Sequence, residues 1–352
     1  MLTVTPFPYT LHFKRPAATS RGALRMREVV FLRAEQNGVV GWGECGVVPG
    51  LSRDDRTDYV DTVTAVCREI TRGADPAEVA LSNLPSVAFG LETALLDLAG
   101  GGRQRLFDTA FSRGQAPLPT HGLIWMDTPA GMLAQIEGKI AQGCQVIKLK
   151  VGALSFGQEL ALLAELRQRW PASQVELRLD ANGAWHPAQA LDRLQALAAL
   201  DVAFLEQPIQ PGQPQEMAEL CAASPIPIAL DEELICATDP LPLLETIRPQ
   251  HIVLKPSLLG GLAACDRWIA AAGSLNVQWW INSLLESNVG LNAIAQWTSA
   301  VDDRRVHGLG TGQLFANNIP LPLHLDRCGL RLAAGAPWEF AGPSAAAAGR
   351  LP

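Results

Sequence analysis

The sequence contains no long uninterrupted apolar run. Its most apolar stretch, Leu258 to Leu285, is broken by Asp266, Arg267, Asn276, Gln278 and Asn282, so it cannot cross a bilayer. A basic excess is also missing. With 28 lysines and arginines against 35 acids the net charge is −7, which excludes the electrostatic footprint of a nucleic-acid binder and favours a small-molecule partner. The seven cysteines (45, 67, 144, 221, 236, 265 and 328) include no Cys-x-x-Cys pair, so neither a disulfide framework nor a structural zinc site is expected. Reduced thiols in a cytoplasmic protein are. No Gly-x-x-x-x-Gly-Lys-Ser/Thr occurs, which disfavours a nucleotide-phosphate site. Met1 to Pro6 lacks the basic and apolar blocks of a signal peptide and is expected to stay on the mature chain.

What is present is a globular composition, 48% apolar and 18% charged. At 352 residues the chain is about twice a typical domain of roughly 150, which calls for a large barrel or a barrel with an accessory domain. Residues 1–115 read as an α+β unit. The alternating stretch Arg27 to Glu35 reaches a turn at Asn37-Gly38 and resumes at Val39, a β-hairpin signal, and helical spacing follows over Arg56–Arg72 and Ser86–Leu98. The glycine- and proline-rich stretch Gly100 to Pro119 reads as the connection between domains.

From 116 to 320, short apolar runs alternate with helical segments. The expected strands are His121–Trp125, Val146–Lys150, Val175–Leu179, Ala203–Leu205, Pro227–Leu230, His251–Leu254, Val277–Ile281 and Arg305–His307. Strand and helix in alternation describe an α/β fold, a (β/α)8-type barrel. Residues 321–352 are expected to pack back on the first domain and to end in a mobile tail from Ser344.

In such a barrel the polar residue ending each run lies at the mouth where chemistry is built. Lys148 and Lys150 are two apart on a strand, so both point into the barrel, and two neighbouring cations are expected to lower the pKa of at least one toward that of a general base. A lone Lys-x-Lys would ordinarily be a solvated edge. Here Asp180, Glu206 and Asp231 follow at intervals of 26 and 25 residues, one per barrel unit, so three carboxylates should converge. Such hard oxygen ligands suit Mg²⁺ or Mn²⁺. Lys255 ends the sixth strand, across the barrel from the second, and faces the other side of a bound carboxylate. The chemistry implied is proton abstraction next to a carboxylate. His121 and His251 sit within strands and His186 opens a helix, so the histidines are given structural roles. Asp302-Asp303 precedes the eighth strand and reads as a solvated turn.

The succession Lys148-x-Lys150, Asp180-x-Asn182, Glu206, Asp231-Glu232 and Lys255 resembles the enolase superfamily, in its muconate lactonizing enzyme subgroup, over nearly the whole chain. The resemblance implies a modified barrel with a capping domain. Thr19-Ser20-Arg21-Gly22 would sit on the mobile loop closing over substrate, and Gly43-Glu44 would begin the segment ending in Pro49-Gly50-Leu51-Ser52. Two late segments, Asn282 to Gly290 and Gly308 to Pro320, are most like the o-succinylbenzoate synthase family, although Asn282-Ser283 stands where many relatives have Ser-Ser.

That family dehydrates 2-succinyl-6-hydroxy-2,4-cyclohexadiene-1-carboxylate to 2-succinylbenzoate in menaquinone and phylloquinone biosynthesis. The resemblance implies Lys150 as base and returning acid, Lys148 as its electrostatic tuner and Lys255 as opposing cation, with Asp180, Glu206 and Asp231 holding Mg²⁺. Asn182, Ser283, Gly310, Thr311, Ser20 and Arg21 would contact substrate. N-acylamino acid racemase, dipeptide epimerase and muconate cycloisomerase chemistry share the same residues and remain alternatives, as does a catalytically silent carboxylate-binding barrel.

Overall fold

The computed structural model describes residues 1–19 and 22–333. Ser20 and Arg21 of the expected closing loop, and the tail from 334, lie outside the described residues. The chain opens with an antiparallel sheet of β1 (Thr3–Thr19), β2 (Gly22–Gln36) and β3 (Val39–Gly46), in that order. Asn37 (φ 53°) and Gly38 (φ 79°) make the tight turn between β2 and β3, as the sequence predicts. The expected strands do not include β1, because Pro6, Pro8 and Pro16 interrupt it. It is an edge strand, where a missing N–H costs the ladder little.

Helices α1 (Tyr59–Thr71) and α2 (Pro85–Ala99) cover this sheet. A β-carbon on Gly43 would lie 1.9 Å from the Gly90 carbonyl, so β3 and α2 meet backbone to backbone. No helix among the described residues is long and apolar enough to cross a membrane.

After β4 (Leu118–Pro119), the barrel alternates β5 (Gly122–Ile124), α3 (Pro129–Ala141), β6 (Val146–Lys150), α4 (Phe156–Arg169), β7 (Glu176–Asp180), α5 (Pro187–Ala198), β8 (Val202–Glu206) and α6 (Pro214–Ala223). It continues with β9 (Ile228–Leu230), a 3-10 turn (Glu232–Cys236), α7 (Pro240–Ile247), β10 (His251–Leu254), α8 (Pro256–Leu259), α9 (Leu262–Ser274), β11 (Gln278–Ile281) and α10 (Asn288–Val301). Helices α3, α5, α6, α7 and α8 each begin on a proline, whose fixed φ and absent N–H suit the first helical position.

The strands form one parallel sheet in the order β11-β10-β9-β8-β7-β6-β5. The eighth strand expected at Arg305–His307 is reduced to two bridges, Thr120 with His307 and Asn282 with Gly308, which join the two edges of the sheet. The glycines at 308, 310 and 312 that follow are poor strand formers.

Beyond 320, the described residues form a hairpin of β12 (Leu323–Asp326) and β13 (Gly329–Leu332) whose second strand is hydrogen-bonded to β4, while Leu321 joins the cluster around Phe31 and Trp42. One expectation is corrected. Cys144 and Cys328, expected as thiols, form a disulfide with 5.1 Å between α-carbons. They are 184 residues apart in sequence, so no spacing announces the pair.

Buried polar contacts pin the N-terminal domain to the barrel mouth. Glu44 accepts hydrogen bonds from the Ser287 and Gly290 amides (both 2.9 Å) and the Ser287 hydroxyl (2.5 Å), capping α10 with a carboxylate where its dipole is positive. Arg27 donates to the carbonyls of Leu284 (2.5 Å) and Gly46 (3.2 Å). The β11–α10 loop carrying Ser283 is therefore held by the other domain.

Candidate metal centre and active site

Asp180 and Glu206 end β7 and β8 and Asp231 directly follows β9, three strands that are neighbours in the sheet. Parallel strands in this register place their termini side by side, and one oxygen from each carboxylate lies within 4.8 Å of the others. All three are buried, at 0, 0 and 2% exposure. Three buried hard oxygen donors at this spacing fit a divalent cation, because without countercharge their burial would be costly.

Countercharge also comes from the lysines. Lys148 Nζ lies 2.6 Å from both Glu206 oxygens and 2.8 Å from Asp180 Oδ2. Lys150 Nζ is 2.5 Å from Asp180 Oδ2, and Lys255 Nζ is 2.5 Å from Asp231 Oδ2.

These contacts act on Lys148 in the direction opposite to that of a neighbouring cation. Burial by itself would lower Lys148, but the charges of Asp180, Glu206 and Asp231 reverse the sign and hold its ammonium above the ordinary lysine value. Lys255 is likewise raised against burial, by Asp231 and Glu232. Asp180 is held well below the usual carboxylate range, since Lys148 and Lys150 outweigh its burial. The acids, rather than the neighbouring cation, decide the protonation of Lys148.

Gln207, fully buried at φ 41°, was not singled out in the sequence. Its Oε1 accepts from the Asp231 and Glu233 amides at 3.1 and 3.3 Å, and its Nε2 donates to the Ile209 carbonyl at 3.0 Å. It thereby fixes the backbone on which Asp231 is presented. A glutamine following a strand-ending acid carries no spacing signal of its own.

A cavity of about 410 Å³ is lined by the three lysines that contact the triad. Lys148, Lys150 and Lys255 reach it from the barrel, and Val48, Pro49 and Leu51 cover it from the N-terminal domain together with Gly22 to Leu24 of the β1–β2 hairpin. Of the expected substrate contacts, Asn182, Ser283 and Thr311 line it. Asn182 donates to Glu232 at 3.0 Å, and the Ser283 hydroxyl is shared between Glu286 (2.5 Å) and Thr311 (2.6 Å). Gly310 lines an adjoining cavity of about 310 Å³ instead. His121, given a structural role from sequence, lines both.

Residues 1–98 match the family model described as MenC, N-terminal domain, and residues 131–322 the model described as Enolase C-terminal domain-like. The chain is 43% identical to an o-succinylbenzoate synthase of Desulfotalea psychrophila, over 90% of this chain and 95% of that protein. The crystal structure of MenC from the same organism superposes with a TM-score of 0.84 at 39% identity, covering 94% of this chain and 99% of that one. An L-Ala-D/L-Glu epimerase from Bacillus subtilis, solved with its substrate, shares the fold at a TM-score of 0.81 and 22% identity, over 94% and 95% of the two chains.

Proposed function

The chain belongs to the o-succinylbenzoate synthase family of the enolase superfamily and is a lyase of that family, and from this premise we propose how its residues carry out the dehydration. The substrate is 2-succinyl-6-hydroxy-2,4-cyclohexadiene-1-carboxylate and the product 2-succinylbenzoate. The observation that carries the reading is the placement of Lys150 and Lys255 at the ends of β6 and β10, the strands flanking those of the carboxylate triad, within one cavity.

Asp180, Glu206 and Asp231 would hold Mg²⁺, which when bound draws electron density from the substrate carboxylate and so acidifies the proton beside it. Lys150, two residues along β6 from Lys148 and pointing to the same side, takes that proton. As the resulting ammonium it returns a proton to the hydroxyl leaving from the same face, so one side chain serves both halves of a syn elimination. Lys148 is locked between Asp180 and Glu206 and acts as a fixed positive charge behind Lys150. Lys255 sets a second positive charge across the cavity, where it favours the enediolate form of the substrate. The apolar cover of Val48, Pro49 and Leu51 keeps water from the proton in transit.

A racemase or epimerase would need proton transfer from both lysines, whereas this dehydration needs it from Lys150 alone. The test offers purified protein with Mg²⁺ the cyclohexadiene acid and a panel of N-succinylamino acids side by side. Loss of diene absorbance is expected, abolished in a folded Lys150→Ala variant. Activity on the amino acids alone, or wild-type turnover in that variant, overturns the assignment.

A further inference from the structure

Two side chains that line the cavity each hold one buried polar atom with no hydrogen-bond partner among the described residues. These atoms are His121 Nδ1 and Asn282 Oδ1, in residues only 6% exposed, and both residues line the cavity that Lys148, Lys150 and Lys255 reach. An unmet buried polar group costs about 1–3 kcal/mol, so a pair of them in residues bordering one cavity calls for a binding partner that the protein itself does not supply.

The two come together across the seam where the barrel closes. Asn282 follows β11 and His121 precedes β5, the two ends of the sheet order, and Gly308 lies between them. A β-carbon on Gly308 would stand 2.0 Å from Asn282 Oδ1 and 2.8 Å from His121 Cε1, so both side chains lean over a residue that has none. The carboxylate triad lies at the ends of β7, β8 and β9, the middle of the sheet order and so across the barrel from this seam. The succinyl group stands on the ring carbon next to the one that bears the carboxylate, so with the carboxylate at the triad a ring turned about that anchor brings the acyl group to the side of the cavity lined by His121 and Asn282.

The pair is uncharged. Burial, with Lys148, Arg178 and Lys150 nearby, pushes the His121 imidazole well below its ordinary value, leaving one N–H donor. The Asn282 carboxamide supplies further N–H donors once its interchangeable oxygen and nitrogen are oriented by a ligand. Carboxylates are drawn to the lysines and the triad, whereas neutral donors suit a neutral acceptor. We propose that His121 and Asn282 together bind the ketone oxygen of the substrate's succinyl arm and so select for an acyl substituent on the ring. This inference rests on the family reading above.

Isothermal titration of the Mg²⁺-loaded protein with 2-succinylbenzoate and with benzoate, which lacks the arm, tests it. His121→Leu and Asn282→Leu should each weaken 2-succinylbenzoate about tenfold and leave benzoate unchanged, the scale of one lost hydrogen bond. His121→Gln, which keeps a donor, should stay within about threefold of wild type. Unaltered affinity for 2-succinylbenzoate in both leucine variants would show that the pair holds solvent only, and equal losses for the two ligands would show a merely structural role. Either result overturns the proposal, while wild-type turnover of the cyclohexadiene acid leaves the family reading standing. A wild type that neither turns over that acid nor binds 2-succinylbenzoate overturns both.

Discussion

The ammonium of Lys148 sits 2.6 Å from both carboxylate oxygens of Glu206, with neither side chain more than 3% exposed. A buried pair of this kind tolerates loss of one partner badly, because the other charge is left without water or countercharge. Lys148→Met should lower the stability of the metal-free protein by about 3–5 kcal/mol. A divalent cation supplies positive charge to the same carboxylates and binds only the folded chain, so saturating Mg²⁺ should recover much of the loss. Urea unfolding with Mg²⁺ and with a chelator measures both. A loss that is the same in the two conditions would mean that Lys148 does not share the triad's charge.

Gln207 offers a second test, because it touches no candidate ligand side chain yet holds the Asp231 amide at 3.1 Å. Gln207→Leu fills similar space and strips the acceptor from two buried amides. Removing such supporting contacts typically costs 10- to 100-fold in metal affinity, and a drop of about that size in Mg²⁺ binding is expected. Gln207→Glu, which keeps the accepting oxygen, should retain more of the affinity than Gln207→Leu. Identical Mg²⁺ affinity in wild type and Gln207→Leu would remove Gln207 from the account.

What the sequence makes legible follows from charge and period. Asp180, Glu206, Asp231, Lys148, Lys150 and Lys255 stand out because a charged residue ending an apolar run is rare, and repetition once per barrel unit is rarer. The structure gathers these six in one place. Gln207, His121 and Asn282 carry no charge that a strand end must explain, and their meaning arises only from neighbours brought in by closure of the sheet. The disulfide is invisible for the same reason, since Cys144 and Cys328 meet only when β13 pairs with β4. Strand β1 is hidden by prolines that an edge position tolerates, and the eighth strand is overestimated because its residues pair through single bridges.

The floor of the barrel predicts how stability changes in acid. His251 packs beside Phe204 and Trp280, with ring centroids 5.3 and 5.8 Å away, and burial together with Arg178 lowers its pKa to about 4. His307 is also lowered to about 4, chiefly by burial; its Nδ1 accepts from the Ile281 amide while Nε2 contacts the Asp302 carbonyl, an arrangement that only the neutral ring satisfies. Each folded value lies below the unfolded value of about 6.5, so between the two the unfolded chain binds more protons. Their stabilising contribution is complete above pH 6.5, falls as the pH drops toward 4, and changes little below that. The slope is at most about 1.4 kcal/mol per pH unit for each histidine, and smaller for the partly exposed His251. His251→Phe keeps an aromatic ring against Phe204 and Trp280 while removing the titration. Urea midpoints measured from pH 7.5 to 4.5 should therefore decline less steeply in the variant than in wild type, and parallel curves would rule out a titrating His251 in that window.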